Sequence, residues 1–416
     1  MAEDRLAHSG VLVVGGGYAG SVVARRLGEC TIVNPENYML FRPLLAEAAS
    51  GTLEPRHVVV PLRMLCPRAE LIVGHATRLD ESTRTLLVRT DAGEYGVRYW
   101  NLVVALGAIT RTLPVPGLED HGRGFNDLAD AIELRNHVLR ELEAADAELD
   151  PARRHRHLGF VFVGAGYAGT EALAELQDLV RDAMRYYPRL RDAPQRWVLV
   201  EAQERILPEL PASLAEYTAR LLERRGVEIR TGTRLESVDA ESATLSDGST
   251  VATHTLVWTA GVTPNPLVES FGLPVDERGR VRVDEHLRVE GRTDIWAIGD
   301  CARVPNAAAP SPDPPTSQHA LRQARRLARN LKRRPATYRY RMIGQGATLG
   351  RYKGIAEIFG LRFRGFLGWF ATRTYHLYQL PLLRRKARVV ADWTVSLFFR
   401  RDISELGSLG HPRRLR

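Results

Sequence analysis

At 416 residues, with 44% of them hydrophobic and 26% charged, the chain has the composition of a globular protein long enough for two or three domains with real cores. Cys30, Cys66 and Cys301 are its only cysteines and include no C-x-x-C pair, which argues against a disulfide-stapled secreted domain and a dithiol active site. The net charge of +9 is carried by arginine, which gathers from Arg322 onward, and suits an anionic membrane surface, nucleic acid, or merely an arginine-rich surface; no nucleic-acid-binding module is recognisable.

The apolar run Val11–Val14 ends in G-x-G-x-x-G, with Gly15, Gly17 and Gly20 at the motif positions. Such a run reads as a buried parallel strand followed by a tight turn into a helix, Ser21–Leu27, and a second strand, Thr31–Asn34. The first glycine permits the turn, the second lets backbone approach a pyrophosphate, and the third lets helix and strand pack closely. The helix N-terminus offers its free N–H groups to the anion. Segment Glu70–Arg98 reads as an antiparallel meander with turns such as Asp91-Ala-Gly93. Leu102–Gly107 is a further buried strand ending on glycine. A charged helix, Ala129–Glu148, leads into a linker at Asp150-Pro-Ala-Arg-Arg-His155.

From His157 the programme repeats. Phe160–Val163 ends in Gly164, Gly166 and Gly169, followed by a helix at Thr170–Tyr186, a strand at Trp197–Glu201, a helix at Leu214–Arg225 and another strand. Leu245–Val251 carries a hairpin turn. Thr255–Gly261 repeats the strand-to-glycine pattern, and Ile295–Asp300 is a short strand ending in an acid. Two motifs in matching contexts imply two bound dinucleotides. The expected fold is therefore α/β, with two Rossmann-like dinucleotide-binding domains, one inserted in the other. The first takes residues 1–125 and 285–335, the second 126–284. Residues 336–416 form a C-terminal amphipathic extension of helices and strands.

The paired glycine motifs, the elements at Ala105–Gly107 and Ala260–Gly261, and Ile298-Gly-Asp300 resemble those of two-dinucleotide-binding, glutathione-reductase-like flavoproteins. Tyr38-Met-Leu-Phe-Arg-Pro-Leu-Leu45, Gly164–Glu171, Ala347-Thr-Leu-Gly350 and a tail rich in Trp, Phe, Leu and Arg resemble type II NADH dehydrogenases in particular. The resemblance spans roughly residues 10–405. It implies FAD in the first domain, NADH in the second and a quinone, of menaquinone type, as acceptor. FAD would then be held by Gly15, Gly17, Tyr18, Ala19, Gly20, Arg42, Ala105, Gly107 and Asp300, the last at the ribityl and pyrophosphate region. The strand-end acid is replaced by Asn34, whose amide can still bond a ribose hydroxyl, with Glu36 as the alternative contact. NADH would be held by Gly164, Gly166, Tyr167, Gly169, Ala260, Gly261 and Glu201. A carboxylate at Glu201 accepts ribose hydroxyls and repels a 2′-phosphate, favouring NADH over NADPH unless Arg205 folds over the ribose.

Asp313-Pro-Pro-Thr-Ser-Gln-His319 starts an arginine-rich helix. Ser317 and Gln318 at its N-terminus would face the flavin pyrimidine and stabilise its negative charge, the alternative being a capped surface helix. Glu171, read as a first-turn residue, is implied by the resemblance to contact nicotinamide or deliver protons to quinone; it would equally suit the helix dipole. Glu171 and Gln318 are the candidate catalytic residues. The family's acceptor element, A-Q-x-x-x-Q, is here Ser317-Gln318-His319-Ala320-Leu321-Arg322, with Gln323 displaced by one. No set of metal ligands is assigned.

Phe363–Phe370, Thr374–Leu383 and Trp393–Arg401 mix aromatics, aliphatics and arginine in stretches too short and too charged to span a bilayer. They suit amphipathic helices lying in the headgroup region, a homodimer interface, or helices packed on the body. The polar first ten residues lack the apolar core of a signal peptide. The expected location is cytoplasmic and peripheral, on the inner face of the cell membrane. Rival readings are a soluble NAD(P)H-dependent flavin or ferredoxin reductase, a sulfide:quinone oxidoreductase, which needs a catalytic cysteine pair, and a flavoprotein sensor without turnover.

Overall fold

A computed structural model of the chain describes residues 7–405. Two compact units emerge. The first takes residues 7–41, Val59–Ile109 and Val262–Met342; the second takes Arg42–Val58, Thr110–Gly261 and residues 343–405. The boundaries thus fall at 109/110 and 261/262, where 125/126 and 284/285 were expected. The extension from Ile343 groups with the second unit.

In the first unit, strand Ala7–Val14 lies parallel to Thr31–Asn34 on one side and to Gly93–Val104 on the other. Leu12, Val13 and Val14 are buried, as both faces of a central parallel strand must be. Glu70–Val73 extends the sheet as a parallel edge strand beside Thr31–Asn34, so it is not part of the meander. The meander runs through His75–Asp80, Thr85–Thr90 and the first half of Gly93–Val104. That last strand is continuous for 12 residues where two pieces were expected. No glycine or proline separates Arg98 from Leu102, so the chain passes directly from antiparallel pairing to parallel pairing with Ala7–Val14 and Ile295–Ala297.

The second unit has a five-stranded parallel sheet in the order Gly122–Gly124, Thr255–Trp258, Gly159–Val163, Arg196–Val200, Val227–Arg230. Helices Leu128–Ala147, Tyr167–Ala183 and Ala212–Glu223 belong to the same unit. Helix Leu128–Ala147 starts on a capping box, in which Asp127 accepts from the Asp130 N–H and Asp130 accepts from the Asp127 N–H. The expected linker at Asp150–His155 is a helix instead, Pro151–His157. Asp150 caps it by accepting the Ala152 N–H at 2.9 Å, and Pro151 occupies the first helical position, where its missing N–H costs nothing. The short helix Leu45–Ala49, buried on every residue, packs against Leu128–Ala147 and Tyr167–Ala183. From residue 344 the chain forms an antiparallel sheet, Gly344–Thr348, Gly354–Ile358 and Leu361–Arg364, then helices Gly365–Gln379 and Leu383–Phe398.

Candidate functional site

Both glycine turns are built the same way. Gly15 and Gly164 each have φ of +102°, a left-handed conformation natural to glycine. A Cβ on Gly15 would stand 2.3 Å from the Ala105 carbonyl oxygen, and one on Gly164 2.6 Å from the Thr259 carbonyl carbon. At the third positions, a Cβ on Gly20 would lie 1.8 Å from the Gly15 oxygen, and one on Gly169 2.0 Å from the Gly164 oxygen. The middle glycines differ: at Gly17 and Gly166 a Cβ would meet nothing within 4 Å. Backbone packing demands the first and third glycines, while the second borders open space. The helices that follow, Tyr18–Leu27 and Tyr167–Ala183, have no side-chain cap and no acid in their first turn. Their leading N–H groups, including those of Tyr18, Ala19 and Tyr167, are arranged as an anion site. Both turns therefore fit a dinucleotide pyrophosphate.

The Gly16 N–H donates to Asn34 Oδ1 at 2.6 Å, and the Ala165 N–H donates to Glu201 Oε2 at 2.8 Å. In each turn the strand-end side chain pins the residue between the two glycines. Asn34 also donates to the Glu36 carbonyl at 2.7 Å, so its amide works on the turn itself and Glu36 is the exposed carboxylate of this end. Glu201 Oε1 accepts the Gln203 N–H at 3.0 Å. A carboxylate has about four acceptor positions, which leaves room for ribose hydroxyls. Arg205 donates to the Pro208 carbonyl at 2.7 Å, so its guanidinium is committed to its own loop.

Within the first unit, Asp300 follows strand Ile295–Ala297 on the turn Gly299–Cys301. The Gly299 N–H donates to Gln323 Oε1 at 2.8 Å, and Gln323 Nε2 donates to Asp313 Oδ2 at 2.9 Å. Buried Asp313 also accepts from Asn306 at 2.8 Å and from the Tyr338 hydroxyl at 2.7 Å. Gln323 is thus a positioning residue for the Asp300 turn. Helix Ser317–Asn330 begins where the proline and threonine signals put it, with Thr316 as N-cap accepting the His319 N–H. Burial lowers the His319 pKa against the pull of Asp313. Gln318 Oε1 accepts from the Tyr340 hydroxyl at 3.0 Å, and Arg322 lies 5.2 Å above the Tyr340 ring. Tyr340, on a segment without periodic pattern, carried no sequence signal. Ala105 hydrogen-bonds Val14, and the Gly107 carbonyl accepts the Asn265 N–H at 3.1 Å. Arg42 is exposed and groups with the second unit.

In the second unit Glu171 is the fifth residue of helix Tyr167–Ala183, not a first-turn residue, so the helix dipole does not account for it. Its Oε1 accepts the Thr348 N–H at 2.7 Å and the Thr348 hydroxyl at 3.2 Å. Burial pushes its carboxyl up to about 8, with Glu47 and Glu175 adding to the shift and Thr348 opposing it. Thr348 belongs to the Ala347–Gly350 motif, and Tyr167 reaches the same strand through Gln345 at 3.3 Å. Thr259 donates to the Val163 and Gly164 carbonyls at 2.9 and 2.8 Å, seating the Ala260–Gly261 turn beside the glycine motif. The three cysteines are free and buried; burial pushes Cys30 up to about 12 and Cys66 and Cys301 up to about 11, which leaves them inert thiols.

The model of the pyridine nucleotide-disulphide oxidoreductase family matches residues 9–324. The chain is 27% identical over 410 residues to the type II NADH:quinone oxidoreductase of Mycobacterium tuberculosis, covering 93% of this chain and 87% of the relative. It is 29% identical over 440 residues to an internal alternative NAD(P)H-ubiquinone oxidoreductase of Solanum tuberosum mitochondria, covering 95% and 88%. The solved structure of NDH2 from Plasmodium falciparum in complex with NADH shares the fold, with a TM-score of 0.88 at 18% identity over 96% of this chain and 100% of that one. The α/β architecture with two Rossmann-like domains agrees with that match. This chain belongs to the pyridine nucleotide-disulphide oxidoreductase family.

Proposed function

We infer that the chain is a flavoprotein NADH:quinone oxidoreductase, moving a hydride from NADH to FAD and electrons on to a quinone. The duplicated glycine turn, open only at Gly17 and Gly166, is the observation that carries the reading. Relatives named as NADH:quinone and NAD(P)H-ubiquinone oxidoreductases support it over more than nine-tenths of the chain. FAD, when bound, accepts the hydride and releases its electrons to the acceptor.

The residues have separable tasks. Gly15, Gly17, Tyr18, Ala19 and Gly20 would hold the FAD pyrophosphate, with Ala105, Gly107 and Asp300 completing the site and Glu36 or Asn34 at the ribose. Ser317 and Gln318 would bring a helix N-terminus to the flavin and favour negative charge there. Gly164, Gly166, Tyr167, Gly169, Ala260 and Gly261 would hold NADH. Glu201 selects against a 2′-phosphate, and the engagement of Arg205 with Pro208 supports that preference. Glu171 would hold a proton for a quinone that must take up two; a carboxyl raised to about 8 is loaded at neutral pH. The first unit is then the FAD-binding part, the second the NADH-binding part, and the segment from residue 336 the membrane-association region.

Purified protein is expected to be yellow, to bleach anaerobically with NADH, and to be reoxidised faster by a menaquinone analogue than by oxygen. Failure with quinones and success with a ferredoxin or small organic acceptor would move the activity to the reductase reading. Glu171→Gln tests the proton role. Burial raises this carboxyl from 4.5 to about 8, so the stability tied to its protonated form is complete below 4.5 and lost as pH rises through about 8. The Gln variant should lack that alkaline loss of unfolding midpoint. Quinone turnover should lose its limb near pH 8 while anaerobic bleaching by NADH is kept. An unchanged pH profile would rule the relay out.

Among the described residues no helix is long and apolar enough to cross a membrane. Helices Gly365–Gln379 and Leu383–Phe398 nevertheless expose Phe366, Leu367, Phe370, Tyr378, Leu383, Val395 and Phe398, interleaved with exposed Arg384 and Arg388. That composition supports peripheral binding to the inner face of the cell membrane. Truncation is a poor test, because Arg373, Trp393 and Arg401 hydrogen-bond buried carboxylates. The double variant Phe366→Glu, Phe370→Glu should instead move the protein from the membrane pellet to the supernatant with its unfolding midpoint unchanged. If the pellet fraction holds while a dimer seen by sedimentation falls apart, the face is a homodimer interface.

A further inference from the structure

Three ligand-type atoms converge on the second unit, far along the sheet from its glycine turn. Glu141 lies on helix Leu128–Ala147, His157 ends helix Pro151–His157, and His254 immediately precedes strand Thr255–Trp258. Glu141 Oε2 is 2.6 Å from His157 Nδ1 and 3.2 Å from His254 Nδ1, and the two Nδ1 atoms are 3.1 Å apart. The two imidazole rings stand edge to face at 88°. All three side chains are part-buried, at 15%, 17% and 23% exposure, enclosed yet open to an ion from solution.

Protons can bridge this triangle, with each Nδ1–H donating to the one carboxylate oxygen, but that places two donors on a single acceptor with the ring nitrogens only 3.1 Å apart. The same three atoms lie close enough together to share a metal ion instead. A cation at the centre engages all three lone pairs at once. Ligands of a tetrahedral zinc, at bonds of about 2.0–2.1 Å, sit about 3.3–3.4 Å apart. The triangle reaches that size by side-chain movements of less than ~1 Å.

We propose that Glu141, His157 and His254 form a three-ligand site for a divalent transition-metal ion of zinc type, which ties two helices to the sheet. Two imidazole nitrogens and one carboxylate oxygen suit zinc, copper or nickel, not the all-oxygen shells of magnesium or calcium. A water completes the fourth position. Outer support is in place: His137 Nε2 lies 2.9 Å from the Thr255 hydroxyl, on the residue after His254, and His137 Nδ1 lies 3.8 Å from Glu141 Oε1. Arg156 pairs with Glu241, and Arg123 and Arg140 pair with Glu133, Arg123 also lying within electrostatic reach of Glu141. His157 and His254 enter strands Gly159–Val163 and Thr255–Trp258 at the ends opposite Gly164 and Ala260. Five strand residues, about 16 Å, therefore separate the ion from the nucleotide turn, and its role is structural.

The test uses untagged, FAD-loaded, chelator-dialysed full chain titrated with zinc chloride. One ion per chain should bind with a Kd of about 1 µM or tighter. Saturation should raise the unfolding midpoint by roughly 2–4 °C or more. His254→Ala and Glu141→Gln should each lose roughly 100-fold or more in affinity. Should either variant fold poorly, cobalt in the wild-type chain decides: an intense tetrahedral band to the red of the flavin absorption supports the site. Absence of stoichiometric uptake and of that band, or binding unaltered in both variants, overturns the proposal.

Discussion

Gly17→Val is expected to yield a folded but colourless protein. The position has φ of −69° and an added Cβ meets nothing within 4 Å, so the substitution imposes no strain on the chain itself. Its side chain would instead occupy the space a pyrophosphate needs beside the helix N-terminus. FAD affinity should fall roughly 100-fold or more, a loss of about 2.7 kcal/mol. The flavin-to-protein absorbance ratio measures the loss, and the unfolding midpoint should match that of wild-type protein stripped of FAD. Gly15→Val makes the contrast, because its Cβ would strike the Ala105 oxygen at 2.3 Å in a left-handed conformation; that variant should fail to fold. Gly166→Val should stay yellow yet raise the KM for NADH by roughly 100-fold, again about 2.7 kcal/mol. Retention of stoichiometric FAD by Gly17→Val would remove the first turn from the cofactor site.

Arg373→Ala should destabilise the second unit by roughly 3–5 kcal/mol, the range for breaking one side of a buried ion pair. Glu47 is 1% exposed and accepts two bonds from Arg373, at 3.2 and 2.8 Å, plus the Trp393 indole N–H at 2.6 Å. The guanidinium lies over the Trp369 and Trp393 rings, at 4.2 and 4.9 Å from their centroids. Burial holds the Glu47 carboxyl above its ordinary value even with the arginine present. A raised carboxyl loses stability as pH rises, so the deficit of Arg373→Ala should widen toward alkaline pH. Chemical denaturation at several pH values measures it. The double variant Glu47→Leu, Arg373→Met should recover most of the loss, since apolar residues of similar volume often replace a buried pair at little cost. Arg401→Ala should act similarly, because Arg401 meets Glu175 at 2.8 Å and Asp182 at 3.3 Å, both buried. A Tm unchanged in both single variants would show these pairs to be dispensable.

Local sequence carried much of the architecture. Glycine spacing and β-branched runs located both βαβ units, the strand ends at Asn34 and Glu201, and the helix start after Thr316, because each depends on contacts between near neighbours in sequence. Even here details escaped. The proline start capped by Asp150 carries the signals of a linker, and the uninterrupted strand Gly93–Val104 those of two strands. Gln323 stood out as a displaced acceptor residue, whereas its amide spans from the Gly299 N–H to Asp313. Spacing cannot distinguish a side chain facing a ligand from one facing its own turn.

By itself, then, the sequence determined that two dinucleotides bind, since a backbone conformation open only to glycine and a free helix N-terminus are encoded within a few residues. It also showed that the two strand ends differ, one amide and one carboxylate. Only the tertiary structure decided how the tail is held and what surrounds Glu171. Glu47 meets Arg373 across 326 residues, Glu175 meets Arg401 across 226, and Glu171 meets Thr348 across 177. Polar partners so far apart in sequence leave no periodic trace. Burial in a low-dielectric interior is what pairs them, and burial is a property of the folded chain.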